Sequence, residues 1–179
     1  LALAEMEIEG YLKSIITQNI DNLHQKAGSR DVIELHGNIF RWYCTQCSRV
    51  RILSEEELRD FIHQLKEKRG RVGIIRCFRD FSQCECGERL RPSVVLFGEV
   101  LPQAEFERAE QQVHKCDLLL LIGTSAIVSP ASNLPYEAKR KDATLVEINT
   151  EQTQLTTMCD FSFQEKAGKV LHEIVRFLL

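Results

Sequence analysis

Four of the seven cysteines in this 179-residue chain stand in two close pairs, and that pattern constrains the fold more than any other feature. Cys44-Thr45-Gln46-Cys47 leaves a two-residue gap and Cys84-Glu85-Cys86 leaves one. Two tight turns that each present two thiols supply the four soft ligands a tetrahedral zinc requires. Gly87 follows the second pair, where the backbone must turn closely. A catalytic zinc would keep an open position and take His or carboxylate ligands, and none accompanies these pairs. The pattern therefore predicts a structural zinc held by Cys44, Cys47, Cys84 and Cys86, with Cys77 close enough to compete with Cys84. A redox pair at Cys44 and Cys47 is the alternative. The odd count, without a secretory signal, points to a reducing, cytoplasmic setting rather than a disulfide frame. Cys116 and Cys159 read as small core residues.

Residues 41–91 are expected to form the zinc module. Inside it, Ser54-Glu55-Glu56-Glu57 is a capping box, opening a helix with Leu58, Phe61, Ile62 and Leu65 on one face. The module looks poor in large apolar residues, so the metal should supply much of its folding energy.

On either side, residues 1–40 and 92–179 alternate strand and helix patterns. Leu1–Glu9 reads as a helix stopped by Gly10, then come strands at Leu12–Thr17 and Val32–Leu35 around a short helical stretch from Asp21 to Ala27. After Pro92 the pattern gives a strand (Ser93–Phe97), a helix (Gln103–His114), a strand (Asp117–Ile122), a helix (Ala131–Lys141), a strand (Ala143–Ile148) and a helix (Lys166–Leu178). Asp117–Ile122 is too continuously apolar to be half-exposed, which predicts a central place in a parallel sheet. The fold class is α/β: a Rossmann-like, doubly wound parallel sheet with a small zinc-binding module inserted. An apolar fraction of 44% and a charged fraction of 27% suit a globular domain, and no apolar run approaches bilayer length, so no membrane partner is expected. A net charge of −3 argues against direct nucleic-acid binding.

The segment Thr17-Gln18-Asn19-Ile20-Asp21-Asn22-Leu23-His24, then Glu34-Leu35-His36-Gly37 and the first cysteine pair, resembles the sirtuin family. So do Leu90-Arg91-Pro92-Ser93-Val94-Val95-Leu96-Phe97-Gly98-Glu99, Gly123-Thr124-Ser125 and Glu147-Ile148-Asn149. The resemblance implies an NAD-dependent deacylase that acts on acyl-lysine proteins or peptides. Nicotinamide leaves, the acyl group passes to ADP-ribose, and free lysine is released. In that scheme His36 is the general base on a ribose hydroxyl. Gln18, Asn19, Asp21, Gly123, Thr124, Ser125, Asn149 and Ala167 contact NAD. Val95, Phe97, Gly98 and Glu99 form one wall for the substrate peptide, and the loop carrying Val128 forms the other. Taken on its residues alone, His36 is more often a capped or core histidine than a base, Gln18, Asn19 and Asp21 are turn and cap residues, and Gly123-Thr124-Ser125 is a turn.

The family's Gly-rich opening (a Gly-Ala-Gly-Ile-Ser-like loop, then a Pro-Asp-Phe-Arg-like stretch) would precede Leu1 and is not among these residues. Without it the expectation is a gap in the sheet, weak NAD binding and no basis for acyl-chain preference. Two other readings share the same residues: a non-catalytic NAD or ADP-ribose binding module, and a protein ADP-ribosyltransferase.

Overall fold

The computed structural model describes all 179 residues. In chain order the first half contains α1 (Ala2–Ile8), β1 (Ile15–Thr17), α2 (Leu23–Lys26), β2 (Val32–Glu34), β3 (Gly37–Cys44), β4 (Val50–Ile52), α3 (Glu55–Glu67), α4 (Gly70–Phe81) and β5 (Leu90–Val94). The second half contains α5 (Gln103–Val113), β6 (Leu118–Ile122), a 3-10 turn (Ala131–Asn133), α6 (Leu134–Arg140), β7 (Thr144–Asn149), β8 (Phe161–Gln164) and α7 (Ala167–Leu178). The chain divides into two compact units. One comprises Leu1–Thr17, Leu23–Leu35 and Leu101–Leu179, and the other Gln18–Asn22 and His36–Val100.

The first unit is built on parallel strands. Its β1 pairs with β2, and β6, β7 and β8 form a second ladder in that order. Alternation along β7 explains why helices cover both faces, because successive side chains point to opposite sides. Leu145 packs with Ile33, Leu35, Ala109, Val113 and Ala138, which brings α5 and α6 onto one face. Val146 and Ile148 pack with Leu171, Ile174 and Leu3, which brings α7 and α1 onto the other. At the end of α1, Tyr11 N donates to Met6 O and Gly10 N to Glu7 O, the paired bonds of a Schellman stop. Gly10 has φ +81°, which only glycine adopts without strain.

The expectation of a central β6 is corrected. This strand pairs with β7 alone, at the margin of its ladder, and Leu118 is 47% exposed. Its apolar run records packing on both faces, Leu119 against one core and Leu120 and Ile122 against the other, and hydropathy cannot tell a strand so covered at the margin from one at the centre. The strands at Ile15–Thr17 and Leu90–Val94 are also displaced from Leu12–Thr17 and Ser93–Phe97. Hydrogen-bonded ladders, which are not written in hydropathy, set those ends.

Glu147, on the Leu145 face of β7, is a carboxylate only 3% exposed. Burial pushes its pKa up, but the hydroxyls of Thr153, Thr156 and Ser162 outweigh this and hold it below the ordinary glutamate value. A carboxyl depressed in the folded state stabilises the fold above its unfolded pKa of about 4.3 and loses that contribution as pH falls through the folded value. Acid unfolding is therefore expected to shift to lower proton sensitivity in Glu147→Gln below about pH 4.3. Urea midpoints measured from pH 6 to 3 should converge for the two proteins, and parallel curves would show that Glu147 does not contribute.

The second unit has an antiparallel sheet in the order β4-β3-β5. The capping box opens α3 as expected: Ser54 Oγ accepts from Glu57 N at 3.1 Å, and Ser54 N donates to Glu57 Oε2 at 2.7 Å. Leu58 and Phe61 are buried, while Ile62 lies at the edge of the stripe and is exposed. The module is richer in core than its composition suggests. Unforeseen α4 brings Phe78 and Phe81 against Trp42 and Phe61, with Phe61 and Phe81 stacked at 3.8 Å and Trp42 edge-on to Phe81 at 5.3 Å. The guanidinium of Arg51 lies 4.8 Å from the centre of the Phe81 ring.

Candidate functional site

Two turns form the thiol cluster. At the end of β3, Ser48 N donates to Cys44 O and Cys44 N to Arg49 O, and the residue between the two bonds, Ser48, has φ +58°. Across from it Cys84 N donates to Glu88 O and Gly87 N to Cys84 O. All four sulfurs lie within 4.8 Å of one another, with Cys44 and Cys86 at 3.6 Å and Cys47 and Cys84 at 3.7 Å. Four thiolates at about 2.3 Å from one tetrahedral zinc stand roughly 3.8 Å apart, so the residues fit the ion. The Cys47 amide lowers the Cys44 thiol to about 7. Cys86, although the Glu88 amide favours its ionised form, is pushed up to about 12 by the neighbouring Cys84, by burial and by the other thiols. The Cys44 thiolate forms readily, whereas ionising Cys86 calls for a cation's charge. Cys77 is buried on α4 in the core that also takes in Cys44 and Cys84, and its sulfur is not one of the four that come together.

His36 follows β2 at the turn into β3. Its Nδ1 lies 3.0 Å from Gln18 O, and since a carbonyl only accepts, Nδ1 carries a proton, which in the neutral tautomer leaves the lone pair on Nε2. The ring is half-buried. Residues 18–22 are tied alongside: Ile39 N donates to Ile20 O at 3.0 Å, and Asn38 Nδ2 to Asn22 Oδ1 at 2.9 Å. Asn38 is buried and also accepts from Phe40 N at 2.9 Å. Gln18 is half-buried beside the ring, whereas Asn19 and Asp21 face solvent. The Asn22–Asn38 bond escaped the sequence reading, because two asparagines sixteen residues apart carry no spacing signal.

Beyond β5, Val95 N donates to His36 O at 3.0 Å, which continues the strand past Val94. The chain then turns at Gly98. Glu99 Oε2 accepts from Leu96 N at 3.0 Å and from Arg91 Nη2 at 2.9 Å, closing residues 96–99. Arg91 holds the Glu99 carboxyl below the usual range. Phe97 is fully exposed. Val95, Phe97, Gly98 and Glu99 thus occupy one strip in the same unit as His36, and Arg91 is its unforeseen anchor.

In the other unit, Gly123-Thr124-Ser125 follows the C-terminal end of β6, and Asn149 closes β7. Asn149 Nδ2 donates to Thr124 O at 3.1 Å, and Thr124 Oγ1 accepts from Ala126 N at 3.1 Å. Ala167 is the first residue of α7, whose N-cap Lys166 provides no side-chain bond to the helix amides. Val128 is exposed in the loop before the 3-10 turn. Hydroxyls, an amide and backbone N–H groups at the carboxyl ends of parallel strands are a donor set suited to a sugar and phosphate.

A parallel sheet covered on both faces, with polar loops at its strand ends, defines the Rossmann-like class of nucleotide-binding domains. Within that class the chain belongs to the Sir2 family, whose profile it matches over residues 1–130. It is 42% identical over 182 residues to an NAD-dependent protein deacylase of Pyrococcus abyssi, an alignment that covers 99% of this chain and 67% of the relative. Among solved structures, it is similar to a Sir2 homolog–NAD complex, with a TM-score of 0.80, 38% identity and coverage of 99% of this chain and 62% of that one. A Sir2–p53 peptide–NAD+ complex gives a TM-score of 0.79 at 30% identity, with coverage of 98% and 67%. The chain spans about two thirds of the length of the relatives it matches. No helix is long and apolar enough to cross a membrane.

Proposed function

We propose that this protein belongs to an NAD-dependent protein lysine deacylase or deacetylase that acts on acyl-lysine proteins or peptides, with zinc as a structural ion. The observation that carries the reading is the bond between His36 Nδ1 and Gln18 O, which fixes the tautomer a base needs. When bound, NAD supplies an activated ribose carbon and the hydroxyl that takes up the acyl group. His36 Nε2 would accept the proton of that hydroxyl, and the Gln18 carbonyl would stabilise the resulting imidazolium through Nδ1–H. Gln18, Asn19 and Asp21 would face the nicotinamide ribose. Gly123, Thr124, Ser125, Asn149 and Ala167 would hold the adenosine half.

Val95, Phe97, Gly98, Glu99 and Val128 are assigned to the peptide. The strip's geometry supports this, because Glu99 closes the 96–99 turn and so fixes the end of the extended stretch through Val94 and Val95, beside which an added strand could lie. Cys44, Cys47, Cys84 and Cys86 are assigned to zinc on their sulfur separations. The proposed division is a nucleotide domain of 1–40 and 92–179 with a zinc module of 41–91, and the reduced thiols suit the cytoplasm.

The test is nicotinamide release from NAD in the presence of an acetyl-lysine peptide. Loss of a general base costs about 10²- to 10⁴-fold, so His36→Ala should be slower by that factor with its fold intact. Equal rates in the two proteins would remove His36 from catalysis. Nucleotide binding without turnover in the parent protein would favour a binding module.

A further inference from the structure

The proposed ribose contacts Thr124 and Asn149 are bonded to each other, and the groups behind them and Ser125 converge on one residue. Glu147 stands two positions before Asn149 on β7 and is enclosed in the Leu145 face of the sheet. Thr153 Oγ1 donates to its Oε1, while Thr156 Oγ1 and Ser162 Oγ donate to its Oε2 at 2.6 and 2.9 Å. The first two hydroxyls are also acceptors: Thr153 Oγ1 takes Leu155 N at 3.1 Å, and Thr156 Oγ1 takes Thr153 N at 2.8 Å. One carboxylate therefore organises the whole turn 153–156. A hydrocarbon side chain would fill the same space without the desolvation cost of a charge, so packing alone gives no reason for an acid here.

The turn reaches directly to the nucleotide-side loop. Gln154 Nε2 donates to Ala126 O. Leu155, almost wholly buried, packs with Leu121 and Ala126. Ala126 has φ +51°, a left-handed conformation unfavourable for alanine, so something outside it must enforce it. Its N–H in turn bonds Thr124 Oγ1. On the other branch, β7 carries Glu147 to Asn149, whose amide bonds Thr124 O.

We infer that Glu147 is a positioning residue for the nucleotide: it touches no ligand, and through the 153–156 turn and Ala126 it sets the orientation of Thr124, Ser125 and Asn149. The inference rests on the proposed role of those three residues as sugar and phosphate contacts.

The experiment pairs ADP-ribose affinity, measured by titration calorimetry, with hydrogen exchange at the Ala126 amide. Glu147→Leu keeps the volume and removes every acceptor, and Glu147→Gln keeps one carbonyl oxygen. The leucine variant should bind ADP-ribose at least about tenfold more weakly and lose protection at Ala126, with the glutamine variant between it and the parent. A merely structural role would lower stability in both variants without ordering their affinities in this way. Thr153→Val, which leaves the carboxylate in place, gives the same two readouts should the leucine variant not fold. Unchanged exchange at Ala126 overturns the inference, as does parent-like affinity in the leucine variant. A parent protein that does not bind ADP-ribose defeats the functional assignment, and the positioning claim then stands or falls on the exchange alone.

Discussion

Stripping the metal from Cys44, Cys47, Cys84 and Cys86 should melt the unit built on residues 36–100. Trp42 reports it, being the only tryptophan in the chain, 2% exposed and two residues from a ligand on β3. Structural zinc contributes roughly 10–16 kcal/mol of apparent binding free energy in small zinc peptides. The rings of Trp42, Phe61, Phe78 and Phe81 contribute about 1.5–3 kcal/mol each when fully buried, before the entropy of ordering their residues is subtracted. Phe78 remains partly exposed, which lowers its share. The metal term is the larger, and its loss leaves crowded thiols that repel as they ionise. Dialysis against a chelator at neutral pH should therefore shift Trp42 emission to the red and abolish a cooperative transition. Metal-free protein, its loss confirmed by elemental analysis, that keeps the native emission would rule out a structural ion.

Gly37→Ala should be nearly as damaging, for a steric reason. A Cβ at this position would lie 1.9 Å from Ser93 O and 2.8 Å from Ser93 C, which are backbone atoms held in the β3–β5 ladder. The backbone there has φ +77°, so the substitution is strained even with room. Relief requires β3 and β5 to separate where His36 and Val95 are bonded. A cost on the order of 4 kcal/mol is expected, the range of backbone-conflict mutations. It should appear as a lower urea midpoint followed at Trp42, and a midpoint matching the parent would contradict the register.

Much of this was legible because the residues concerned act locally or in pairs close in sequence. The capping box at Ser54 and Glu57 sits within one turn, and the cysteine pairs announce their turns. The stripe of α7 runs at helical spacing, and Leu171 and Val175 are buried as that stripe requires. What stayed hidden depends on distant partners. The helix α4 begins at a glycine and carries arginines among its apolar residues, so Phe78 and Phe81 declare themselves only when Trp42 is beside them. Short β4 and β8 have no pattern long enough to read. At the candidate site, motif blocks mark His36 and Asn149, but Asn38, Arg91 and Glu147 gain meaning only from what they hold.

Strand β3 has the imidazole at its entrance and the first thiol at its exit, from Gly37 to Cys44. A bulge between Asn38 and Trp42 shortens the path, and the β5 partners of those ends, Val94 and Leu90, are four residues apart, so at about 3.3 Å per residue the ends are separated by on the order of 13 Å. A cation seated among the sulfurs is too remote to polarise a bond near the ring, and water screens what field remains. Cobalt or cadmium could replace the native ion as a mechanical rivet, altering only how firmly the strand is anchored.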